Sequence, residues 1–104
     1  MLNHYEIAQV FDLIADLLQI KGELVYKTLA YRRAADSLRN LPTDLTTHWQ
    51  AGTLAEIPGV GKALADKIAE LLSTGQLQFL RDLEQTYPRS LAILLQIPDV
   101  GPKK

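Results

Sequence analysis

The chain has 104 residues, a formal net charge of −1, two histidines and no cysteine. This length suits one domain with a single core, and the composition excludes disulfides and thiolate metal sites, while the distant His4 and His48 lack metal-ligand spacing. The longest uncharged stretch, residues 90–98, is too short to cross a bilayer, so we expect a cytoplasmic monomer without a membrane partner.

Hydrophobic periodicity predicts two helices in the first forty residues. Asn3 and Glu6 have the spacing of a capping box, and apolar residues then recur at helical intervals until Gly22. A second helix is predicted from about Leu24 to Asn40. Its predicted inward face contains Leu29, Ala30, Ala34 and Leu38.

The segment 42–56 is predicted to form short helical pieces. Asp44 suits the start of a helical turn that Gly52 ends, and Trp49 is expected to cover the edge of the core. A short helix is expected at residues 53–56, directly before the phrase IPGVG.

Three more helices are predicted after this phrase. Apolar residues from 64 to 72 form a helical stripe that ends at Gly75, a second stripe covers residues 77–87, and Ser90 can cap a last short helix. No stretch shows the sustained alternation of a β-strand. We therefore predict an all-α fold, a compact bundle of five to six short helices.

The phrase IPGVGK at residues 57–62 has a near copy, IPDVGPK, at residues 97–103. Gly59 and Gly61 are predicted to adopt positive φ and reverse the chain, with Val60 filling the notch between two helices. Because the next helix begins near Gly61, the amides of Gly61, Lys62 and Ala63 lack intrahelical partners at the positive end of the helix dipole. This geometry suits a phosphate, and we predict a sequence-independent DNA contact here.

The phrase has two other possible interpretations besides DNA binding. The turn could serve only to pack helices in a protein-interaction module, but its repetition with a following lysine favours phosphate binding. A nucleotide P-loop is not supported, because Glu56 and Ala63 occupy positions that require glycine and a hydroxyl residue. The overall pI is near 6.1, yet residues 21–67 contain seven basic and five acidic residues, so the middle of the chain can present a basic face.

Several segments resemble family X DNA polymerases, the polymerase-beta-like group, and particularly its bacterial and archaeal members. They are LAEIPGVGKALADKIAELLSTGQL at 54–77, YKTLAYRRAADSLRNLP at 26–42, IKGE at 20–23 and the closing IPDVGPKK. The resemblance implies the small helix-hairpin-helix domain of a base excision repair polymerase, over residues 1–90, that binds the 5′-phosphate side of gapped DNA. Residues 91–104 resemble the truncated start of a second hairpin.

By this resemblance the chain is a piece of a longer nucleotidyltransferase. No carboxylates for catalytic Mg²⁺ can be assigned in it, so Mg²⁺ is expected only with the absent polymerase portion and this piece is not expected to synthesise DNA. The resemblance also implies phosphate contacts by Lys27, Tyr31 and Arg32. Ala55 and Ala63 depart from polymerase beta, which has phosphate-binding lysines at both positions.

The resemblance also implies a second function, deoxyribose-phosphate lyase activity, with Lys67 as the Schiff-base nucleophile. Such a nucleophile must be a neutral amine, so the chemistry requires surroundings that disfavour the lysine charge. Tyr26 stands where the lyases of the family often have histidine. Sequence-independent DNA binding is therefore the leading hypothesis, and the lyase is the alternative.

The hairpins of this family also bind Na⁺ or K⁺ through backbone carbonyls of the turn. In the first turn the matching carbonyls belong to Ala55, Ile57 and Val60. In the second turn they belong to Leu95, Ile97 and Val100, where Asp99 replaces the first glycine and weaker binding is expected.

Overall fold

The computed structural model describes residues 3–87. These residues form five α-helices and one 3₁₀ turn, which confirms the all-α prediction. In chain order they are α1 (His4–Lys21), α2 (Val25–Arg39), α3 (Leu45–Ala51), the 3₁₀ turn Leu54–Glu56, α4 (Lys62–Thr74) and α5 (Gln78–Thr86). The predicted helix after Ser90 and the second hairpin lie outside the described residues. No described helix combines the length and apolar character that a membrane span needs.

The helix ends follow the signals in the sequence. The Asn3 side chain accepts the Glu6 amide at 2.8 Å, and the Glu6 carboxylate accepts the Asn3 amide at 2.9 Å, so the predicted capping box is present. The Asp44 side chain caps α3 by accepting the Thr46 amide. Three helices end, as predicted, at glycines in the left-handed conformation: Gly22, Gly52 and Gly75.

Helices α1 and α2 form an antiparallel pair that contributes much of the core. His4 at the start of α1 hydrogen-bonds the Leu38 carbonyl near the end of α2. Phe11 and Ile14 of α1 are fully buried, as is Ala34 of α2. Helices α4 and α5 add further leucines to this core, and Trp49 packs against its edge as predicted.

The inward face of α2 differs from the prediction in its first turns. Leu29 is 43% exposed, and Ala30 is only half-buried, whereas the predicted Ala34 and Leu38 are in the core. The buried line of α2 contains Thr28, Tyr31, Ala34, Ala35 and Leu38. Whether Thr28 or Leu29 is buried depends on how α2 is rotated about its axis against α1. Hydrophobicity alone does not determine that rotation.

Arg32 and Arg39 of α2 bind carboxylates of α1. Arg32 Nη2 donates to Asp16 Oδ1 at 2.6 Å, and its Nη1 lies 3.5 Å from Asp12 Oδ1. Arg39 donates to the other oxygen of Asp12. Asp16 is only 6% exposed, and because a buried carboxylate is costly unless it is paired, the contact with Arg32 stabilises the packing of α2 on α1.

We expect the substitution Arg32→Ala to lower the free energy of unfolding by about 1–3 kcal/mol, because it leaves the Asp16 carboxylate without its guanidinium partner. Arg33→Ala is the matched control. Arg33 is exposed, and the change should stay within about 0.5 kcal/mol of the wild type. Urea unfolding followed by circular dichroism measures both values, and equal stability of the two variants would contradict the prediction.

Candidate nucleic-acid interface

The turn between the 3₁₀ segment and α4 is closed by its own backbone. The Ile57 carbonyl accepts the Val60 amide at 2.9 Å, and Gly59 between them has φ of 79°. Val60 is only 3% exposed and packs in the core, as predicted for a residue in the notch between two helices. The turn is therefore anchored by a buried side chain at its centre.

Gly59 and Gly61 are glycines for different reasons. A Cβ at Gly59 would lie 3.3 Å from Ser37 Oγ and 3.4 Å from the Arg33 carbonyl oxygen, so this residue packs closely against α2. Gly61 has φ −86° and ψ −177°, which is extended backbone, and a Cβ there would meet no atom within 4 Å. The prediction of positive φ at Gly61 is wrong, because one left-handed residue already completes the turn and an N-cap residue takes an extended conformation.

The amino end of α4 is open on its outer side. Gly61 is the N-cap residue and has no side chain to cap the helix, while its carbonyl accepts the Ala65 amide at 2.8 Å. The first-turn amides of Lys62 and Ala63 therefore have no side-chain cap within residues 3–87. These amides lie at the positive end of the helix dipole, a favourable position for an anion.

Lys62 lies at the exposed surface beside this helix end. Its ammonium group is 3.5 Å from the Asp66 carboxylate one turn later, and 87% of the lysine side chain is exposed. Such exposed pairs contribute little stability. Lys62 can consequently leave Asp66 for a DNA phosphate at small cost.

A cavity of about 360 Å³ lies between α2, α4 and α5, next to the amino end of α4. It brings together four residues predicted for phosphate or lyase chemistry: Lys27, Tyr31, Ala63 and Lys67. Its other described lining residues are Leu18, Lys21, Glu23, Tyr26, Ala30, Leu64 and Phe79. Gly59, Val60, Gly61 and Lys62 do not line it and instead form the adjoining turn. We call this space the lysine pocket.

Arg32, which was also predicted to contact phosphate, is not in the lysine pocket. Its guanidinium group faces α1 and pairs with Asp16 and Asp12. The reason is helical geometry, since consecutive residues such as Tyr31 and Arg32 point about 100° apart around the helix axis. In this structure Arg32 therefore stabilises the packing of α2 on α1.

Tyr31 forms the inner wall of the lysine pocket. Its ring makes an edge contact with Phe11 at 5.5 Å and stacks on Phe79 at 6.1 Å between centroids. Burial raises the pKa of Tyr31 to about 12, so the phenol stays neutral at physiological pH. Its hydroxyl has no hydrogen-bond partner within residues 3–87, and so it can donate to a bound anion.

Lys67 reaches the lysine pocket from α4, with its ammonium nitrogen 5.0 Å from the centroid of the Phe79 ring. An ammonium group is attracted to the face of an aromatic ring. This contact suits a lysine that attracts a phosphate.

The lysine pocket also contains two charged residues for which the sequence analysis assigned no role. Glu23 lies between Lys21 and Lys27, 3.8 Å from the first ammonium group and 3.7 Å from the second. The pocket is therefore lined by three lysines and one glutamate among the described residues, a net charge of about +2.

Comparison with known families identifies this arrangement of turn and helices. A family model described as a helix-hairpin-helix domain matches residues 3–77. The chain belongs to the helix-hairpin-helix domain family. A second model, a SAM-like helix-hairpin-helix tandem, matches residues 51–104 and so covers both copies of the repeated phrase.

The helix-hairpin-helix domain is similar to parts of several DNA polymerases, which confirms the resemblance to family X. It is 28% identical over 99 residues to the DNA polymerase/3′-5′ exonuclease PolX of Bacillus subtilis. It is also 26% and 28% identical to the DNA polymerases lambda of Rattus norvegicus and Arabidopsis thaliana, over 79% and 92% of the chain. The chain spans 14–18% of the length of these relatives.

The family resemblance implies that backbone carbonyls of the turn would hold a monovalent cation. The described residues contain no cluster of three or more His, Asp or Glu side chains that could hold a metal ion. The Ile57 carbonyl accepts the Val60 amide, whereas the carbonyls of Ala55 and Val60 accept no backbone amide of the turn within residues 3–87. Hard carbonyl oxygens of this kind fit Na⁺ or K⁺. The carbonyls of Leu95, Ile97 and Val100 lie outside the described residues.

Sequence reasoning missed Lys21, Glu23 and Phe79 as members of the lysine pocket. The spacing of Glu23 and Lys27 by four residues is a local signal that could have revealed their pairing. Phe79 gives no such signal, because it reaches Tyr31 and Lys67 only after α5 folds back onto α2 and α4.

We expect Gly59→Ala to destabilise the domain by about 1–2 kcal/mol, because alanine disfavours positive φ and its Cβ would crowd the Ser37 hydroxyl. Gly61→Ala is the matched control. It should cost less than about 1 kcal/mol, because the backbone is extended and the space around it is open. Thermal unfolding compares the two variants, and an equal loss of stability would show that both glycines serve packing.

Proposed function

We propose that this helix-hairpin-helix domain binds DNA without sequence preference and takes the 5′-phosphate side of a gap, as part of a family X repair polymerase. The observation that carries the proposal is the position of the lysine pocket, which Ala63 joins directly to the uncapped amino end of α4. A terminal phosphate in the pocket and the backbone phosphates at the turn would then belong to one continuous strand.

Charge supports a terminal phosphate as the occupant of the pocket. A 5′-phosphate carries about −1.5 to −2 charges near neutral pH, whereas an internal phosphodiester carries one. The net charge of about +2 in the pocket matches the terminal group. The neutral Tyr31 hydroxyl adds a hydrogen-bond donor that no described side chain occupies.

The turn supports contacts that do not depend on base sequence. Backbone amides and Lys62 can contact phosphate oxygens, which are the same at every base pair. The open space at Gly61 leaves room for a DNA strand to approach the helix end. A Na⁺ or K⁺ ion held by the carbonyls of Ala55, Ile57 and Val60 would supply positive charge between the turn and a phosphate.

We expect the chain to bind a gapped duplex with a 5′-phosphate about fivefold more tightly than the same duplex with a 5′-hydroxyl. Lys27→Ala should remove most of this preference, because it takes one cation from the lysine pocket. Lys62→Ala should weaken binding to both duplexes alike and reduce the slope of log K against log salt by about 1. Fluorescence anisotropy at several salt concentrations measures these constants.

Arg81→Ala is the control for these variants. Arg81 lies on α5 at a separate cavity with Val10 and Gly75, and its loss changes the total charge by the same amount. Its binding constants should equal those of the wild type. A wild-type chain that does not bind DNA, or that binds both duplexes equally at low salt, would contradict the proposed 5′-phosphate contact.

A second candidate function is deoxyribose-phosphate lyase activity through Lys67. The observation that favours it is that Lys67 shares the pocket with Lys27 and Tyr31, so a sugar next to a bound phosphate would lie beside its amine. The contact of the Lys67 ammonium group with the Phe79 ring acts against it, because the amine has to leave the ring before it can attack a sugar.

Borohydride reduction of the chain with a 5′-deoxyribose-phosphate oligonucleotide tests this second function. We expect weak trapping at most, and Phe79→Leu should increase it several-fold by removing the aromatic ring that holds the Lys67 amine. Lys67→Ala should abolish any adduct. An adduct that survives Lys67→Ala would show that another amine reacts and would exclude the Lys67 lyase.

A further inference from the structure

Glu23 is the one acidic residue among the described residues that line the lysine pocket. Its carboxylate lies 3.7 Å from the Lys27 ammonium group and 3.8 Å from that of Lys21. The glutamate side chain is 22% exposed, whereas the two lysine side chains are 46% and 48% exposed. A negative charge therefore already lines a pocket whose other charges are positive.

The backbone holds this carboxylate in place. The Leu24 amide donates to Glu23 Oε1 at 3.1 Å, just before the first residue of α2. This hydrogen bond is the main cause that lowers the pKa of Glu23; burial, the next-largest effect, acts to raise the pKa, and the nearby Lys27 and Lys21 lower it further. Glu23 is accordingly an anion at neutral pH, and its position is set independently of the lysines.

The lysines are bound to Glu23 only loosely. Both nitrogen–oxygen distances exceed the usual range of a charged hydrogen bond, and about half of each lysine side chain is exposed. Exposed pairs of this kind contribute little free energy. Lys21 and Lys27 can thus turn from the carboxylate to an incoming phosphate, while Glu23 remains at the amino end of α2.

We propose that Glu23 is an affinity-setting residue that competes with the 5′-phosphate of DNA for Lys21 and Lys27. The inference rests on the proposed function of the lysine pocket and adds to it a residue that weakens phosphate binding. Repulsion from the fixed carboxylate acts on the whole charge of the incoming group, so it is larger for a terminal phosphate than for a phosphodiester. The domain would hold a 5′ end less tightly than its three lysines alone allow.

The substitution Glu23→Gln tests this inference with little disturbance of the fold. Glutamine has the same shape, and its side-chain oxygen can still accept the Leu24 amide. We expect the dissociation constant for a gapped duplex with a 5′-phosphate to fall about three- to tenfold, and that for the 5′-hydroxyl duplex to fall less. Fluorescence anisotropy at a fixed low salt concentration measures both constants.

Glu84→Gln is the matched control, because it removes the same charge from α5 at the separate cavity with Val10 and Gly75. It should leave both dissociation constants unchanged. Weaker or unchanged binding by Glu23→Gln would overturn the inference and assign Glu23 to positioning the lysines. An equal gain in affinity for both duplexes would also overturn the inference. A general electrostatic effect on DNA binding, and not competition at the terminal phosphate, would then explain the result.

The wild-type chain, measured in parallel, separates this inference from the proposed function. A wild type that prefers the 5′-phosphate, together with a Glu23→Gln variant that gains nothing, overturns only the role of Glu23. A wild type without that preference overturns the proposed function and the inference with it. Circular dichroism of the variant confirms that the helices are retained.

Discussion

The close approach of Gly59 to α2 is the contact on which the candidate interface depends. The turn can lie against the Arg33 carbonyl and Ser37 only because Gly59 has no side chain and a positive φ. This contact sets where α4 begins relative to α2. From that starting point, Ala63 and Lys67 of α4 reach the same pocket as Lys27 and Tyr31 of α2.

The turn therefore combines a packing role with the binding role that we propose, whereas the sequence analysis treated the two as alternatives. Gly59 and the buried Val60 anchor the turn to the rest of the domain. A Cβ added at Gly61 would meet no atom within 4 Å, so the space beside this residue is open. Gly61 also provides no side-chain cap, which leaves the first amides of α4 accessible. Rigid packing on one side is what keeps the amides on the other side available in a fixed geometry.

The contacts of the three lysines set the charge of the lysine pocket. The Glu23 carboxylate lies near the ammonium groups of Lys21 and Lys27, while the Lys67 ammonium group lies over the Phe79 ring. Both kinds of contact are favourable for an ammonium ion. The phosphate binding that we propose would engage all three lysines, because they line the same cavity.

Local interactions made much of this fold predictable from the sequence. The capping box at Asn3, the glycines that end three helices and the IPGVG turn were recognised because each depends on residues within one or two turns of the chain. The identities of Lys27, Tyr31 and Lys67 as pocket residues also followed from the sequence, through its resemblance to a family with the same phrase.

Tertiary structure decided the features that depend on how the helices are oriented. The rotation of α2 on α1 exposes Leu29, buries Thr28 and turns Arg32 toward Asp16 and away from the pocket. The return of α5 brings Phe79 to Tyr31 and Lys67, although it is remote from both in sequence. Helical periodicity shows that a helix has an apolar face. Rotating that face by one residue changes the local free energy of the helix little. Only packing against the other helices selects which residues are buried.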